Sequence, residues 1–138
     1  MILALLAAQA TTPSLELTQR AANAAFAACQ GTPIAVAIID SDAQPRLLLL
    51  GDGTRSMFGN FAIRKATTAL RFGKPSAEVR DAAKSDPALA ERLKSDATLI
   101  GFGGGLPYAG GAVAVAGAPS QDLDQTCAAA ALAVLTKG

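Results

Sequence analysis

Histidine and tryptophan are both absent from the 138 residues, and aromatic residues make up only 4% of the chain. Without histidine, the chain has no Ser-His or Cys-His nucleophile pair and no imidazole ligand for a metal. Acid–base chemistry is left to lysine, carboxylates, tyrosine and cysteine. So few aromatic rings also argue against a stacking platform for single-stranded nucleic acid. The composition therefore favours a binding protein over an enzyme.

Charge of either sign is also scarce. Charged residues make up 17% of the chain and the formal net charge is +1, so no strong field attracts nucleic acid or an anionic membrane. With 51% hydrophobic residues, the length fits one globular domain. Only two cysteines are present, Cys29 and Cys127. They predict either one disulfide of an exported protein or two free, buried, small side chains.

The N-terminus carries the one feature that bears on location. The apolar run 1–8 is followed by Ala8-Gln9-Ala10, a pattern typical of a signal peptide's hydrophobic region and cleavage site, although the basic start is missing. The alternative is an apolar first turn of a helix. The run is too short to span a bilayer. We predict a truncated signal-peptide remnant at residues 1–10, a single domain at 11–138, and a periplasmic or secreted protein without a membrane span.

Hydrophobic periodicity and turn residues predict the element order α-β-β-α-α-α-β-β-α. The predicted helices are 14–29, 56–72, 76–84, 87–94 and 119–136, and the predicted strands are 34–40, 46–50, 98–102 and 112–116. Two hairpins separated by helices indicate an α+β fold in which helices pack on an antiparallel sheet. A tight glycine loop is expected at 103–107, between the last two strands.

The glycine-rich stretch 101–105 is the first candidate site. It is not a phosphate-binding loop, because no Gly-Lys-Ser/Thr follows, and a strand rather than a helix comes next. Its bare backbone would let a flat ligand approach closely or would hold a carboxylate through N–H groups. The alternative is a plain turn at a strand end.

The helix 56–72 carries the second candidate site. Arg64, Thr68 and Arg71 are spaced by four and three residues, which places them on one face. They predict an anion patch for ligand carboxylates, with an ordinary solvated face as the alternative. Lys65 lies among alanines, where partial burial would lower its pKa and make it a base. The alternative for Lys65 is a snorkelling side chain.

Two ordered segments carry a resemblance to a known family. Residues 65–76 are similar to a K-A-x-T-A-x-x-F-G-x-P-S/T signature, and residues 104–128 contain Gly-Gly-Leu-Pro, Gly-Gly-Ala-Val, Gln-Asp and Cys-Ala in the matching order. They resemble the GlcG/HbpS family, which is related to the C-terminal domain of PduO proteins. The matched positions are Lys65, Thr68, Phe72, Gly104, Gly105, Leu106, Pro107, Gln121 and Asp122.

The resemblance implies a profilin-like α-β-α sandwich, with an antiparallel sheet flanked by helices, that often forms homo-oligomers. It also implies a small-molecule ligand, haem or another tetrapyrrole, bound in the cell envelope for sensing, storage or scavenging. Haem-binding members use an N-terminal histidine, which this chain lacks. The family's V-D-x-x-G turn also differs, since Ile39 and Asp40 fit it but Ala43 stands in place of the glycine.

Without histidine, the remaining candidates for haem iron are Tyr108, Met57 and the two cysteines, with Tyr108 and Met57 preferred. Haem propionates would then lie on Arg64 or Arg71. The predicted ligand-binding residues are Arg64, Lys65, Thr68, Arg71, Gly104, Gly105, Leu106, Pro107 and Tyr108. Two other functions compete with haem binding. One is an assembly module whose Ala-rich first and last helices bury against a second subunit. The other is an enzyme on a small hydroxy or carboxylic acid, with Lys65 as base.

Overall fold

Five helices and four strands follow one another within residues 11–137, the part of the chain that the computed structural model describes. The predicted element order is confirmed, and the predicted signal remnant at 1–10 lies outside the described residues. The helices are α1 (Leu15–Ala28), α2 (Met57–Phe72), α3 (Ser76–Ala83), α4 (Pro87–Ser95) and α5 (Gln121–Lys137). The strands are β1 (Ala35–Asp40), β2 (Pro45–Leu50), β3 (Gly105–Tyr108) and β4 (Gly111–Ala116).

The strands form one antiparallel sheet in the order β2-β1-β4-β3. The central strands β1 and β4 pair along their whole lengths, with Ala35 opposite Ala116 and Asp40 opposite Gly111. Every residue of both strands is buried, because helices cover the two faces of the sheet. The predicted α+β fold, an antiparallel sheet flanked by helices, is confirmed.

The two faces of the sheet carry side chains of different size. Val36, Ile38, Val113 and Val115 point towards α1 and α5 and form the larger core with them. The opposite face is almost all alanine, at positions 35, 37, 112, 114 and 116, and packs against the alanines of α2. Small side chains on both surfaces let α2 lie close to the sheet. This close approach places Lys65 of α2 against the strands.

The ends of the helices follow the sequence signals. Ser14 Oγ accepts a hydrogen bond from Leu17 N at 3.1 Å, and Ser120 Oγ accepts one from Leu123 N at the same distance. Asp86 caps α4 in the same way through Leu89 N. Gly73 ends α2 in the left-handed conformation, with φ of 65°, and its N–H donates to Ala69 O.

The predicted third strand was wrong. Residues 98–102 form no strand, and β3 lies instead at Gly105–Tyr108, inside the predicted glycine loop. Leu99 and Ile100 are buried, which explains the strand-like pattern, but side chains of α2 satisfy their backbone groups. Pro107 is tolerated in β3 because this strand is at the sheet edge.

One covalent link crosses the larger core. Cys29, directly after α1, and Cys127, in α5, form a disulfide with their Cα atoms 5.8 Å apart. It ties the first and last helices together on one face of the sheet. Among the described helices, none is long and apolar enough to cross a membrane.

Candidate ligand-binding site

A cavity of about 600 Å³ lies between the start of α1, the end of α5 and the turn joining β3 to β4. We call it the Tyr108 groove. Leu17 and Leu135 give it apolar walls, and Tyr108 forms part of its lining. Its volume falls within the range of about 300–1,000 Å³ typical of small-molecule sites.

The hydroxyl of Tyr108 is the only buried side-chain polar atom without a hydrogen-bond partner in the described part of the chain. An unsatisfied buried hydroxyl costs stability, so it needs an explanation. Burial raises the pKa of Tyr108 to about 12, and the nearby charge of Asp40 adds to the rise. The phenol is therefore protonated at neutral pH, and its buried oxygen keeps an unused hydrogen-bonding capacity at the wall of the groove.

Lys65 lies elsewhere, in a closed polar contact. Its Nζ donates to Asp124 Oδ2 at 2.9 Å and to Val115 O at 3.1 Å. Asp124 Oδ1 accepts from Ala118 N at 3.0 Å. Burial lowers the pKa of Lys65 and raises that of Asp124, and the contact between them opposes both shifts. Lys65 is only 3% exposed, so the snorkelling alternative is wrong.

The glycines at 103–105 are buried against this pair. A side chain at Gly105 would collide with the carbonyl of Lys65, and one at Gly104 would come within 3.1 Å of Lys65 Nζ. Gly105 N donates to Ser76 Oγ at 2.8 Å, and Gly103 N donates to Gln121 Oε1 at 2.7 Å. The bare backbone is therefore occupied by α2, α3 and α5, and it is not open to a flat ligand.

The predicted anion patch divides in two. Thr68 is fully buried, donates to Arg64 O and accepts from Ile100 N at 2.9 Å. Arg64 and Arg71 instead line a second cavity of about 310 Å³, which also includes Thr67 and Asn60. Thr67 and Asn60 were not among the predicted site residues. Positions 60, 64, 67 and 71 share one helix face, so the spacing was the signal that could have found them.

The remaining predicted residues are dispersed. Leu106 belongs to the larger core and Pro107 is half-buried in β3. Met57 is 46% exposed at the start of α2, on the opposite face of the sheet from Tyr108. Of the family-matched positions, Phe72 packs under the guanidinium of Arg92 and Asp122 is exposed in the first turn of α5. Within residues 11–137, no group of three metal-ligating side chains occurs.

The fold and the groove define a small α-β-α sandwich protein with a largely apolar side cavity and a single phenol in its wall. A family model described as "Haem degrading protein HbpS-like" matches residues 14–133. The chain belongs to this HbpS-like family. No curated protein matches the sequence significantly.

Solved structures agree with this assignment. A crystal structure of HbpS is 34% identical, with 92% of each chain covered and a TM-score of 0.82. A double mutant of HbpS from Streptomyces reticuli is 36% identical over 92% of this chain and 89% of that one, with a TM-score of 0.81. A complex of PduOC with heme shares the fold at 22% identity, with a TM-score of 0.79 and 90% and 95% of the two chains covered.

Proposed function

We propose that the chain binds haem or a related tetrapyrrole in the Tyr108 groove. The observation that carries the proposal is a largely apolar cavity of about 600 Å³ whose wall includes Tyr108, a phenol with a buried hydroxyl that has no partner among the described residues. Tyrosine is an established axial ligand of haem iron, so a chain without histidine still has a suitable oxygen. The family membership and the PduOC–heme complex support the same ligand class.

The residues of the groove fit this ligand. Leu17, Leu135 and Pro13 offer apolar contact to a macrocycle, while the hydroxyls of Thr11 and Thr12 offer hydrogen bonds to propionates. Arg64 and Arg71 do not line this groove, so the predicted propionate contact to them is not part of the proposal. Ferric haem would supply a Lewis-acidic iron. To bind this iron, Tyr108 would have to lose its phenolic proton. Its raised pKa opposes that loss, and the opposition grows as the pH falls.

Titration of the full chain with haemin, followed by the Soret absorbance, tests this proposal. We expect saturable one-to-one binding, a spectrum changed by Tyr108→Phe, and no change for Met57→Ala. Met57 is the matched control because it is the other candidate iron ligand and lies on the far face of the sheet. Binding that is lost in Met57→Ala and kept in Tyr108→Phe would contradict the assignment of the groove.

Catalysis at Lys65 is the weaker alternative. Its ammonium already contacts a carboxylate and a carbonyl oxygen in a closed site, which leaves little access for a substrate. The description of the family as haem-degrading nevertheless makes turnover worth measuring. Haem bound to the protein should lose its absorbance in a peroxide no faster than free haem does under the same conditions. Progressive loss of the absorbance beyond that of free haem would show a degrading activity instead.

We further propose that the protein acts in the periplasm or outside the cell. The apolar run 1–8 with Ala8-Gln9-Ala10 supports export, and a disulfide between Cys29 and Cys127 suits an oxidising compartment. Mass spectrometry of the protein from fractionated cells tests this. We expect a processed N-terminus near Thr11 and no free thiol. An unprocessed, reduced chain in the cytoplasmic fraction would refute the location.

Self-association is also proposed, at a surface other than the one predicted. The Ala-rich α1 and α5 pack on each other and on the sheet, so most of their alanine face is already covered. The edge strand β2 instead exposes Leu48, Leu49 and Leu50 by 41–42% each. An exposed apolar edge strand is a template for antiparallel pairing with a second copy about a two-fold axis. Light scattering should show a dimer or larger species that Leu49→Lys converts to monomer.

A further inference from the structure

The second cavity, the α2 cleft, is a separate place with a different chemistry. It lies between α2 and the turn joining β1 to β2, with Ala97 and Thr98 at its edge. Arg64, Thr67 and Arg71 face it from α2, and Gln44 faces it from the turn. At about 310 Å³ it is half the size of the Tyr108 groove, at the small end of the range for ligand sites.

Arg64 is fixed in position but not neutralised. Its Nε and Nη2 both donate to Leu99 O, at 3.2 and 2.8 Å, so one edge of the guanidinium is anchored by backbone. The other edge, with Nη1, makes no hydrogen bond to the described residues. An anchored guanidinium with a free edge is pre-organised for a carboxylate, since little side-chain freedom is lost on binding.

Arg71 lies seven residues further along α2, about 10 Å along the helix axis. Within residues 11–137, neither arginine takes part in any of the four salt bridges. Two negative groups are near. Asp42 lines the cleft without pairing, and Asp96 interacts electrostatically with Arg71 while its Oδ1 accepts from Thr98 N and Oγ1. The lining itself therefore has two cations against one carboxylate.

From this arrangement the geometry points to a second ligand site in the α2 cleft, for a small dicarboxylate with one carboxylate on each arginine. A dicarboxylate matches two separated guanidiniums that form no salt bridge with the described residues better than a single anion does, because each carboxylate forms its own charge-assisted hydrogen bonds. The cleft is too small for a tetrapyrrole, and it shares no lining residue with the Tyr108 groove. The site is therefore independent of haem binding.

Nuclear magnetic resonance titration of the ¹⁵N-labelled full chain with glutarate tests the site. Butyrate, which has a similar length and one carboxylate, and sulfate are the comparison probes. We expect saturable shifts confined to residues 42–44, 60–71 and 97–98, with glutarate binding about tenfold more tightly than butyrate. Equal affinity for the three probes, or shifts spread over all basic surfaces, would overturn the proposal.

Variants sharpen the test. Arg71→Gln should weaken glutarate binding about tenfold, to the level of butyrate, because one carboxylate loses its partner. Arg55→Gln removes an exposed arginine outside the cleft and should change nothing. Asp42→Asn removes the opposing carboxylate and should tighten binding about two- to fivefold. An Arg71→Gln protein that binds glutarate as well as the parent would refute the site. Unchanged haemin binding in the same variant separates this result from the haem proposal.

Discussion

Lys65 Nζ and Asp124 Oδ2 lie 2.9 Å apart and form, among the described residues, the one salt bridge in which both side chains are almost completely buried. The pair joins α2 to α5 beside the backbone of β4 and against Gly104. It therefore links the two helical layers across the edge of the sheet. Because each charge is buried, its partner is what makes burial tolerable.

Removal of one partner should be costly. Lys65→Met leaves the Asp124 carboxylate buried without a cation, and we expect a loss of about 3–5 kcal/mol in the free energy of unfolding. The double variant Lys65→Met/Asp124→Leu should recover most of that loss, because a paired apolar replacement leaves no buried charge. Urea unfolding measures both losses, provided that the slope of the free energy of unfolding against urea concentration is the same for all the proteins. A single variant that loses less than about 1 kcal/mol would mean that the pair is solvated in solution.

Gly105 tests the close packing over Lys65. A Cβ there would collide with the Lys65 carbonyl, so Gly105→Ala forces backbone apart and should cost about 3 kcal/mol or more. Gly73→Ala is the matched control. Its φ of 65° is unfavourable for alanine, but nothing lies within 4 Å of the added Cβ, so only the conformational cost of about 1–2 kcal/mol applies. Thermal or urea unfolding measures both variants. An equal loss of stability in Gly105→Ala and Gly73→Ala would contradict the packing argument.

The disulfide should stabilise the fold mainly by restricting the unfolded chain. Cys29 and Cys127 are 98 residues apart. In the chain-entropy model, closing a loop of that length by a disulfide stabilises the folded state by roughly 4–5 kcal/mol. We expect dithiothreitol to lower the urea midpoint of the parent protein. The variant Cys29→Ala/Cys127→Ala should unfold at the lower midpoint with or without the reductant. A reductant effect of the same size in that variant would mean that the disulfide is not its cause.

Much of the fold could be predicted because the signals were local. Ser14 and Gly73 mark helix ends through their own backbone chemistry, and the apolar runs of β1 and β4 indicate central strands. The third strand could not be predicted this way. Leu99 and Ile100 look like a strand, but their partners are side chains of α2, and β3 depends on pairing with β4.

The candidate site was less predictable for the same reason. Thr68 was selected from a helix face and Lys65 from its alanine neighbours, but neither pattern shows which residues these side chains contact. The partner of Lys65 is Asp124, 59 residues away, and no local pattern connects two residues at that separation. Ala43 adopts a left-handed φ of 62°, a conformation that favours glycine, which is the residue expected at this turn position from the family resemblance.

Tyr108 should show a trade-off between stability and ligand binding. Tyr108→Phe removes a buried hydroxyl without a described partner, so we expect the free energy of unfolding of the unliganded protein to rise by about 1 kcal/mol. The haem spectrum of the liganded variant should change. The effect on stability should depend on pH. The folded pKa of about 12 exceeds the ordinary value of 10.0, so the folded state holds the proton more tightly and the parent loses stability as pH rises from 10 towards 12. Tyr108→Phe should lack that alkaline loss. Urea unfolding of both proteins across this pH range measures the difference, and identical pH profiles would show that the phenol is solvated or hydrogen-bonded in solution.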